Sequence, residues 1–495
     1  MIQDFNPAEL LQRKKRLRTG AEFKASLDDG RKVWVDGVLL EKVTDCPALS
    51  AGIDLLAEMF DDQFDPAHAE ATTMRDETTG DIVSRSWQIP RTIADLEARR
   101  KMIEYTSRKT GGAFGRPPDL APTIVIGLLA DLPTFKKSRS AFDHVAIDYA
   151  ENIERYHASG RDANIIASES LSGPQSDRSA PAAAAHGNVK ITAWEKGGVR
   201  ISGAKSVGSI SAQANEIFFT NLSYPNHPPE ACVWGALPAG TEGIKMISRE
   251  MLSSPGAEPS DHPLNHRGEE ADQIVVFDNV FLPNERVFSL GDVATLKYYG
   301  RVCIWAHWHI LARLAVKAEI FVGAAQLAVD MLGTGGIPGV RGLVADLMEY
   351  ALALKAFVIA AEQRAQLTEG DVMAPDVNML TAGRKYSIEH YPRIIHTLQE
   401  LCGQGLVMRF GKSSFDNPEI GHYLRTLLPG HDVSAEVKNQ LMNFIWDLTT
   451  SGAAGRVELF ENVNATPAPF LRERLYSEFD RKDAVQMARE LALLE

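Results

Sequence analysis

The carboxyl-terminal part of the chain contains four long runs in which apolar residues recur at helical spacing. This spacing lines up one side of a helix, and that side must be buried against another element. Short loops join the runs, so the sequence predicts a four-helix bundle in a domain spanning 296–495, which ends in a carboxyl-terminal tail. The four runs are 310–331, 343–366, 379–401 and 436–448.

The part of the chain before this domain shows two other sequence patterns. Between 161 and 295, short runs of β-branched and aromatic residues such as 216–220 alternate with turn residues. This pattern is typical of strands in a small sandwich or barrel, and we expect the strands to be antiparallel. Residues 1–160 are rich in helix formers, and 142–157 is one of the predicted helices. The predicted fold class is therefore mainly α with a central β-barrel, in three domains.

Charge and cysteine content narrow the functional classes. The chain of 495 residues has a formal net charge of −13, whereas a protein that binds nucleic acid needs a basic surface. No apolar run approaches the roughly 20 residues that cross a membrane. The four cysteines are scattered without metal-ligand spacing, and the amino terminus lacks the pattern of a secretory signal. We therefore expect a cytoplasmic protein that binds neither nucleic acid nor membranes.

One segment near the carboxyl end has almost no side-chain bulk. The apolar helix 436–448 is followed by the run 451–455, Ser-Gly-Ala-Ala-Gly, and then by a further helical run. Small residues let a backbone approach a flat or charged ligand, with free N–H groups directed at it. A corner between two helices is the alternative interpretation. A second polar loop, 169–179, contains Arg178, which suits a phosphate but suits an internal ion pair equally well.

Other residues of catalytic type form no convincing motif. His262 and His266 are four apart, but the proline between them disfavours the helical arrangement of a zinc site, and no metal is predicted. At most one of His307 and His309 can line a cavity, because residues two apart face different sides of a helix. The glycine-rich run 111–115 follows a helix rather than a strand, so it does not support a Rossmann motif.

Several ordered motifs together resemble the large subunit of the 4-hydroxyphenylacetate 3-hydroxylase family. The resemblance runs over 90–465, and it implies an acyl-CoA-dehydrogenase-like fold: a helical amino-terminal domain, an antiparallel β-barrel and a carboxyl-terminal four-helix bundle. It also implies a homotetramer or homodimer. The motifs are Gly-Arg-Pro-Pro-Asp at 115–119, Pro-Gln-Ser-Asp-Arg-Ser at 174–179, His-Pro-Leu at 262–264 leading to 275–288, Asp-Asn-Pro-Glu at 416–419 and Trp-Asp-Leu-Thr at 446–449.

The resemblance implies the oxygenase component of a two-component, flavin-dependent monooxygenase. A separate NAD(P)H-flavin reductase would supply reduced FAD (FADH₂), and O₂ would add to it to form a C4a-hydroperoxyflavin that hydroxylates an aromatic or N-heteroaromatic small molecule. A dry pocket would protect that intermediate. In the family the flavin lies between barrel and bundle. Carried over by position, the cofactor-binding residues are Ser170, Leu171, Gln175, Ser176, Asp177, Arg178, Ser209, Ser451, Gly452, Ala453 and Ala454.

The substrate-handling residues of the family are only partly present. Arg116 is retained, but Leu120 replaces a Tyr and Glu169 replaces a His. Leu120 cannot hydrogen-bond a phenol, whereas an ionised Glu169 accepts a hydrogen bond from an N–H or cationic group. Glu169 can also act as a general base if burial raises its pKa. We therefore expect Arg116 and Glu169 to be catalytic and to bind substrate together with Leu120. A structural ion pair between Glu169 and a neighbouring Arg is the alternative.

Three other functions are compatible with this type of fold. A 4-hydroxybutyryl-CoA dehydratase would need an iron–sulfur cluster held by three cysteines and a histidine, and no cysteine pair lies in 99–115 or in the helix after His309. An acyl-CoA dehydrogenase would need a catalytic carboxylate in the bundle, for which Glu362 and Glu389 are available. A non-catalytic binding subunit with the flavin fold is compatible with the loss of two substrate-site residues.

Overall fold

Helices predominate in the amino-terminal part of the chain. The computed structural model describes residues 17–77, 79–116, 118–175, 187–221, 228–297, 299–464 and 466–494. The prediction of a helix over 142–157 is wrong at its amino-terminal end, because the helix begins at Tyr149. The Asp148 carboxylate caps it by accepting a hydrogen bond from the backbone N–H of Glu151. The elements are α1 (Gly20–Ala25), β1 (Lys32–Val35), β2 (Val38–Leu39), α2 (Pro47–Asp61), α3 (Pro66–Thr72), β3 (Thr73–Arg75), β4 (Ile82–Ser84), α4 (Ile93–Lys109), α5 (Leu120–Ala130), α6 (Leu132–Lys137) and α7 (Tyr149–Ala163).

Strands dominate the middle of the chain and form two sheets. One sheet has the order β2-β1-β10-β11-β7-β6 and the other has the order β12-β9-β8-β5. In the described pairings each sheet is an open row of strands, so closure into a barrel stays a prediction. The strands are β5 (Ala167–Ser170), β6 (Lys190–Glu195), β7 (Gly198–Ser209), β8 (Glu216–Thr220), β9 (Val233–Pro238), β10 (Ile244–Ser248), β11 (Asp272–Pro283) and β12 (Val287–Leu290).

Two of the strand pairs differ from the antiparallel prediction. β1 runs parallel to β10, and β5 runs parallel to β8. Parallel neighbours need a long connection, and both β1 and β5 reach their partners from distant parts of the chain. The two sheets contact each other where Ser168 of β5 donates a hydrogen bond to the carbonyl of Ser209 at the end of β7, at 2.8 Å. β1 and β2 come from residues 1–160 but belong to the larger sheet, whose other strands lie between 161 and 295. The domain limits at 160 and 295 therefore stay predictions.

Four long helices in the carboxyl-terminal part pack against one another, as the four apolar runs predicted. Helices α9, α10 and α11 contact each other, and α15 contacts both α9 and α11. No described helix combines the length and the apolar character needed to cross a membrane. The elements are α8 (Val293–Lys297), α9 (Tyr299–Leu332), α10 (Pro338–Gln363), β13 (Gln366–Leu367), β14 (Met373–Ala374), α11 (Val377–Cys402), α12 (Gln404–Val407), α13 (Lys412–Asp416), α14 (Gly421–Leu427), α15 (Ala435–Thr449), α16 (Gly452–Leu459), α17 (Ala468–Glu478) and α18 (Lys482–Leu491).

Candidate active site

The run of small residues 451–455 forms the beginning of helix α16. Helix α15 ends at Thr449, and Ser451 then caps α16 by accepting a hydrogen bond from the backbone N–H of Ala454 at 3.1 Å. The predicted stop and restart of the helix is therefore confirmed. Among the described residues, no hydrogen bond uses the backbone N–H of Gly452 or Ala453. These two donors lie at the positive end of the helix dipole and are available to a ligand.

A cavity opens between the beginning of α16, helix α9 and the loop that precedes β11. We call it the α16 cavity. Ala453 and Ala454, both predicted to bind the cofactor, line it. The other lining residues are Gly111, Ala113, Leu264, Asn265, Gly268, Glu269, Glu270, Lys317, Asp447, Leu448, Arg456 and Val457.

The predicted cofactor residues after β5 are only partly described. Ser170 is buried, and its hydroxyl lies 3.4 Å from that of Ser211. The carbonyl of Leu171 accepts a hydrogen bond from the buried Lys205 amine at 3.2 Å. Gln175 is exposed. Ser176, Asp177 and Arg178 lie outside the described residues, so the role of this loop stays a prediction.

The hydroxyl of Ser209, another predicted cofactor contact, is used within the protein. It donates a hydrogen bond to Asp272 at 2.6 Å and accepts one from Arg456 at 3.2 Å. Val207 and Ile210, which flank it, both have a positive φ, 54° and 57°. Such backbone angles are costly for β-branched residues and are found mainly at functional sites. The strained segment supports a site here, although the Ser209 side chain belongs to its framework.

Arg116 and Glu169 form a buried ion pair. The Nε atom of Arg116 lies 3.0 Å from Oε2 of Glu169, although the two groups are not aligned as a hydrogen bond. Among the described residues, neither carboxylate oxygen of Glu169 has a hydrogen-bond partner. Burial raises the pKa of Glu169 to about 7; Arg116 opposes this shift and Glu270 adds to it. Both protonation states are therefore accessible near neutral pH, and the carboxyl group has unused hydrogen-bonding capacity.

The surroundings of this pair are largely closed to water. Leu120, the first residue of α5, is buried, and its predicted contact with the substrate stays a prediction. The guanidinium of Arg116 lies 4.4 Å from the centre of the Phe460 ring. Asp119 and His309, both buried, form a second pair at 3.1 Å between Oδ2 and Nε2. Burial lowers the pKa of His309 although Asp119 opposes the shift.

A second buried cluster centres on Arg456. Its guanidinium donates to Glu270 at 2.8 Å and to Asp272 at 2.7 Å. Glu270 also accepts the backbone N–H of Gly115 at 2.9 Å, which ties the cluster to the segment that carries Arg116. No local motif gives these residues a role. The available signal was the acidic pair at 270 and 272, two positions apart where β11 begins.

The histidines of the 262–266 segment serve a structural purpose. His266 contacts the carbonyl of His262 at 2.7 Å, while the backbone N–H groups of Leu264 and Asn265 donate to the Asp447 carboxylate at 3.0 and 3.1 Å. The segment thereby fastens the loop to α15 beside the α16 cavity. Among the described residues, no group of three or more His, Cys, Asp or Glu side chains is placed to hold a metal ion.

The two candidate carboxylates of an acyl-CoA dehydrogenase lie elsewhere. Glu362 is buried and accepts hydrogen bonds from Arg100 and from the Trp308 indole, each at 3.0 Å. Glu389 pairs with Lys385 at 2.5 Å and with Arg472 at 2.6 Å. Neither lines the α16 cavity. The ion pairs and hydrogen bonds of Glu362 and Glu389 indicate a structural role for both carboxylates.

The helical and sheet layers, with a small-residue helix start facing a cavity, define an acyl-CoA-dehydrogenase-like flavoprotein fold. The solved structure of an oxygen-tolerant archaeal 4-hydroxybutyryl-CoA dehydratase from N. maritimus has the same fold, with a TM-score of 0.86 at 19% identity. That match covers 97% of this chain and 96% of the dehydratase.

The chain belongs to the 4-hydroxyphenylacetate 3-hydroxylase family. The amino-terminal model of that family matches 19–289 and the carboxyl-terminal model matches 296–493. The oxygenase component of 4-hydroxyphenylacetate 3-monooxygenase, solved with FAD and 4-hydroxyphenylacetate, has a TM-score of 0.89 at 27% identity over 96% of this chain and 99% of its own. The oxygenase component of 4-nitrophenol 4-monooxygenase/4-nitrocatechol 2-monooxygenase from Rhodococcus opacus is 32% identical over 92% of this chain and 87% of its own length. The predicted family, the class of flavin-dependent monooxygenase and the cofactor FAD are thereby confirmed.

Proposed function

We propose that this protein oxygenates a small aromatic molecule whose ring carries an N–H or O–H group, and that Glu169 and Arg116 bind that group. The observation that carries the proposal is the Glu169 carboxyl group, which is buried yet has no hydrogen-bond partner among the described residues. A buried polar group without a partner costs free energy, and a ligand that donates a hydrogen bond would recover it. The relative from Rhodococcus opacus is named for 4-nitrophenol, a ring with an O–H.

The protein's own residues account for one proton transfer. With a pKa of about 7, Glu169 can accept the proton of a ring N–H or O–H at physiological pH. Arg116 lies beside the carboxylate and stabilises its negative charge until that proton arrives. Loss of the proton makes the ring more electron-rich and therefore easier to oxygenate. Leu120 offers no hydrogen bond, so it contributes shape and excludes water.

The residues of the α16 cavity fit a bound flavin. Glycine and alanine at the start of α16 allow a flat ring to come close, and two backbone N–H groups there have no partner among the described residues. The Oε1 atom of Glu270 also lacks a hydrogen-bond partner there and can accept a ring N–H. When bound, reduced FAD would supply the activation of O₂.

The test of this function is oxygenation of a panel of ring compounds. Chemically reduced FAD is supplied with O₂ to phenols, anilines and N–H heteroaromatics, and products are identified by the mass of one added oxygen. We expect product from at least one ring with an N–H or O–H, none from matched compounds in which every such hydrogen is replaced by methyl, and at least a tenfold loss of rate in Glu169→Gln. Glu362→Gln, another buried carboxyl variant outside the cavity, should keep its rate. The proposal would be contradicted by product from the methylated rings or by equal rates in the two variants. Failure to form any product would favour a non-catalytic binding subunit.

The wider assembly is part of the same proposal. An oxygenase component of this family needs a separate NAD(P)H-flavin reductase. We propose that the protein is cytoplasmic and that it has the closed β-barrel and the three domains predicted above.

We also propose a homotetramer or homodimer. Three apolar residues on α10 support self-association because they are exposed: Met348 (42%), Leu352 (68%) and Ile359 (41%). Sedimentation velocity should show an oligomer that Leu352→Asp weakens, and a monomer would contradict this part of the proposal.

A further inference from the structure

A buried lysine on the cofactor side of the site has no close ion pair with any described residue. Lys317 lies on α9, is 3% exposed and lines the α16 cavity. Among the described residues, its amine makes no hydrogen bond and has no carboxylate within 4.0 Å. The centres of the Phe321 and Tyr391 rings lie 5.7 and 5.4 Å from the amine. Burial lowers the pKa of Lys317 to about 7; Arg313 and Arg456 add to this shift, and the more distant Glu461 and Glu458 oppose it. Because burial outweighs the rings and these carboxylates, an anionic group in the cavity would be bound favourably.

The glycine-rich run 111–115 fixes the position of this lysine. Gly112 has a φ of +69°, and a Cβ atom there would lie 2.8 Å from Cγ of Lys317. Only glycine therefore provides both the backbone angle and the space for the lysine stem. The run forms no Rossmann motif, and here its Gly112 leaves space for the lysine stem beside the α16 cavity.

The other unpaired groups of the cavity indicate the kind of ligand. The backbone N–H of Ala453 is directed from a helix start and, like the Lys317 amine, favours negative charge. Two of the lining carboxylates already have partners: Glu269 pairs with Arg249 and accepts from Leu252 and Ser253, and Asp447 accepts from the loop at Leu264. Among the described side chains and helix-start N–H groups, the cavity therefore combines two unused donors with the unused acceptor Oε1 of Glu270.

We propose that Lys317 is the counter-cation of reduced FAD and makes the site prefer reduced over oxidised FAD. The ring system of reduced FAD is largely anionic at neutral pH and keeps ring N–H groups, whereas the oxidised ring system is neutral, so only the reduced ring gains the full attraction of the amine. This inference rests on the proposed flavin site. It concerns the cofactor side alone, because Arg116 and Glu169 do not line the α16 cavity.

The test is an anaerobic titration of the full-length protein with reduced FAD and, separately, with oxidised FAD. The ratio of the two dissociation constants is compared for the wild type, Lys317→Met and Lys317→Arg. Lys355→Met is the control, since Lys355 is an exposed lysine of the same bundle that pairs with Glu319. We expect the wild type, the arginine variant and the control to prefer reduced FAD, and Lys317→Met to lose at least tenfold of that preference. Each tenfold loss lowers the two-electron potential of the bound flavin by about 30 mV, which is a second readout.

The outcomes separate this inference from the function on which it rests. A wild type that binds reduced FAD no more tightly than oxidised FAD, or a Lys317→Met variant with an unchanged ratio, would overturn the role of Lys317 while leaving the oxygenase function intact. A wild type that binds neither form would overturn the flavin site itself. Replacing an unpaired buried charge with methionine is not expected to unfold the protein; should it do so, Lys317→Gln repeats the comparison with the same expected loss.

Discussion

Two partly buried arginines lie against the ring of Phe460, and their carboxylate partners differ in how many of their oxygens accept hydrogen bonds. The guanidinium carbons of Arg116 and Arg456 lie 4.4 and 4.6 Å from the ring centre. Arg456 donates aligned hydrogen bonds to two carboxylates and a hydroxyl. Arg116 contacts Glu169 at 3.0 Å without such alignment, and Glu169 has no hydrogen-bond partner among the described residues. The Arg456 cation is therefore shared by two aligned carboxylates, and only Oε1 of Glu270 in that cluster is left for a ligand, whereas both carboxylate oxygens of Glu169 are left for one.

This difference appears in the protonation of the carboxyl groups. Burial alone would raise the pKa of both Asp272 and Glu169. At Asp272, Arg456, Arg249 and the Ser209 hydroxyl outweigh burial and lower the pKa to about 2. At Glu169 burial prevails, and the pKa rises to about 7. A permanently ionised carboxylate belongs to a scaffold, whereas a carboxyl group that titrates near neutral pH can take part in proton transfer.

The largest expected effect is on stability, when the Arg456 cluster is broken. Arg456→Met would leave the buried carboxylates of Glu270 and Asp272 without their shared cation, which costs about 3–5 kcal/mol of the free energy of unfolding. Urea denaturation measures it. Arg200→Met is the control, because Arg200 pairs with Glu195 on an exposed surface and its loss should cost much less than that of Arg456. Equal losses in the two variants would show that the Arg456 cluster is not a scaffold.

A smaller, pH-dependent effect is expected when Glu169 is replaced. The folded state raises the pKa of Glu169 from 4.5 to about 7, so the folded state holds a proton that the unfolded state releases in this range. The free energy of unfolding of the wild type should therefore fall, relative to Glu169→Gln, by up to about 3 kcal/mol between pH 4.5 and 7 and then level off. Urea denaturation at pH 5 and pH 8 checks this. A constant difference across that range would mean that Glu169 is ionised throughout, like Asp272.

Local features of the fold followed from the sequence because they depend on nearby residues. The break at 451–455 was predictable, since small residues and a capping serine act within one helical turn. The start of α7 was missed because Asp148 had not been recognised as its cap. The alternation of apolar and polar residues along a strand indicates which face of the sheet each side chain occupies, but not which strand lies beside it. The parallel pairing of β1 with β10 was therefore not predictable from the sequence.

The site itself was predictable only in part. The sequence indicated Arg116 and Glu169 through their motifs and left open whether they formed an ion pair, and the structure brings them together. The Arg456–Glu270 hydrogen bond joins residues that are 186 positions apart, and a local sequence pattern cannot predict such a contact. Lys317 is one of several lysines in the helical regions, and only the tertiary packing shows that its amine is buried without a close ion pair to any described residue.

The most direct test of the central claim, that the Arg116–Glu169 pair is the reactive one, is the pH profile of kcat/KM for oxygenation of the best ring substrate. It should be measured for the wild type, Glu169→Gln and Glu362→Gln. We expect kcat/KM of the wild type and of Glu362→Gln to rise with pH through an apparent pKa near 7, because the basic form of Glu169 accepts the substrate proton. In Glu169→Gln this transition should disappear. A Glu169→Gln profile with the same transition would contradict the account and place the titrating group elsewhere.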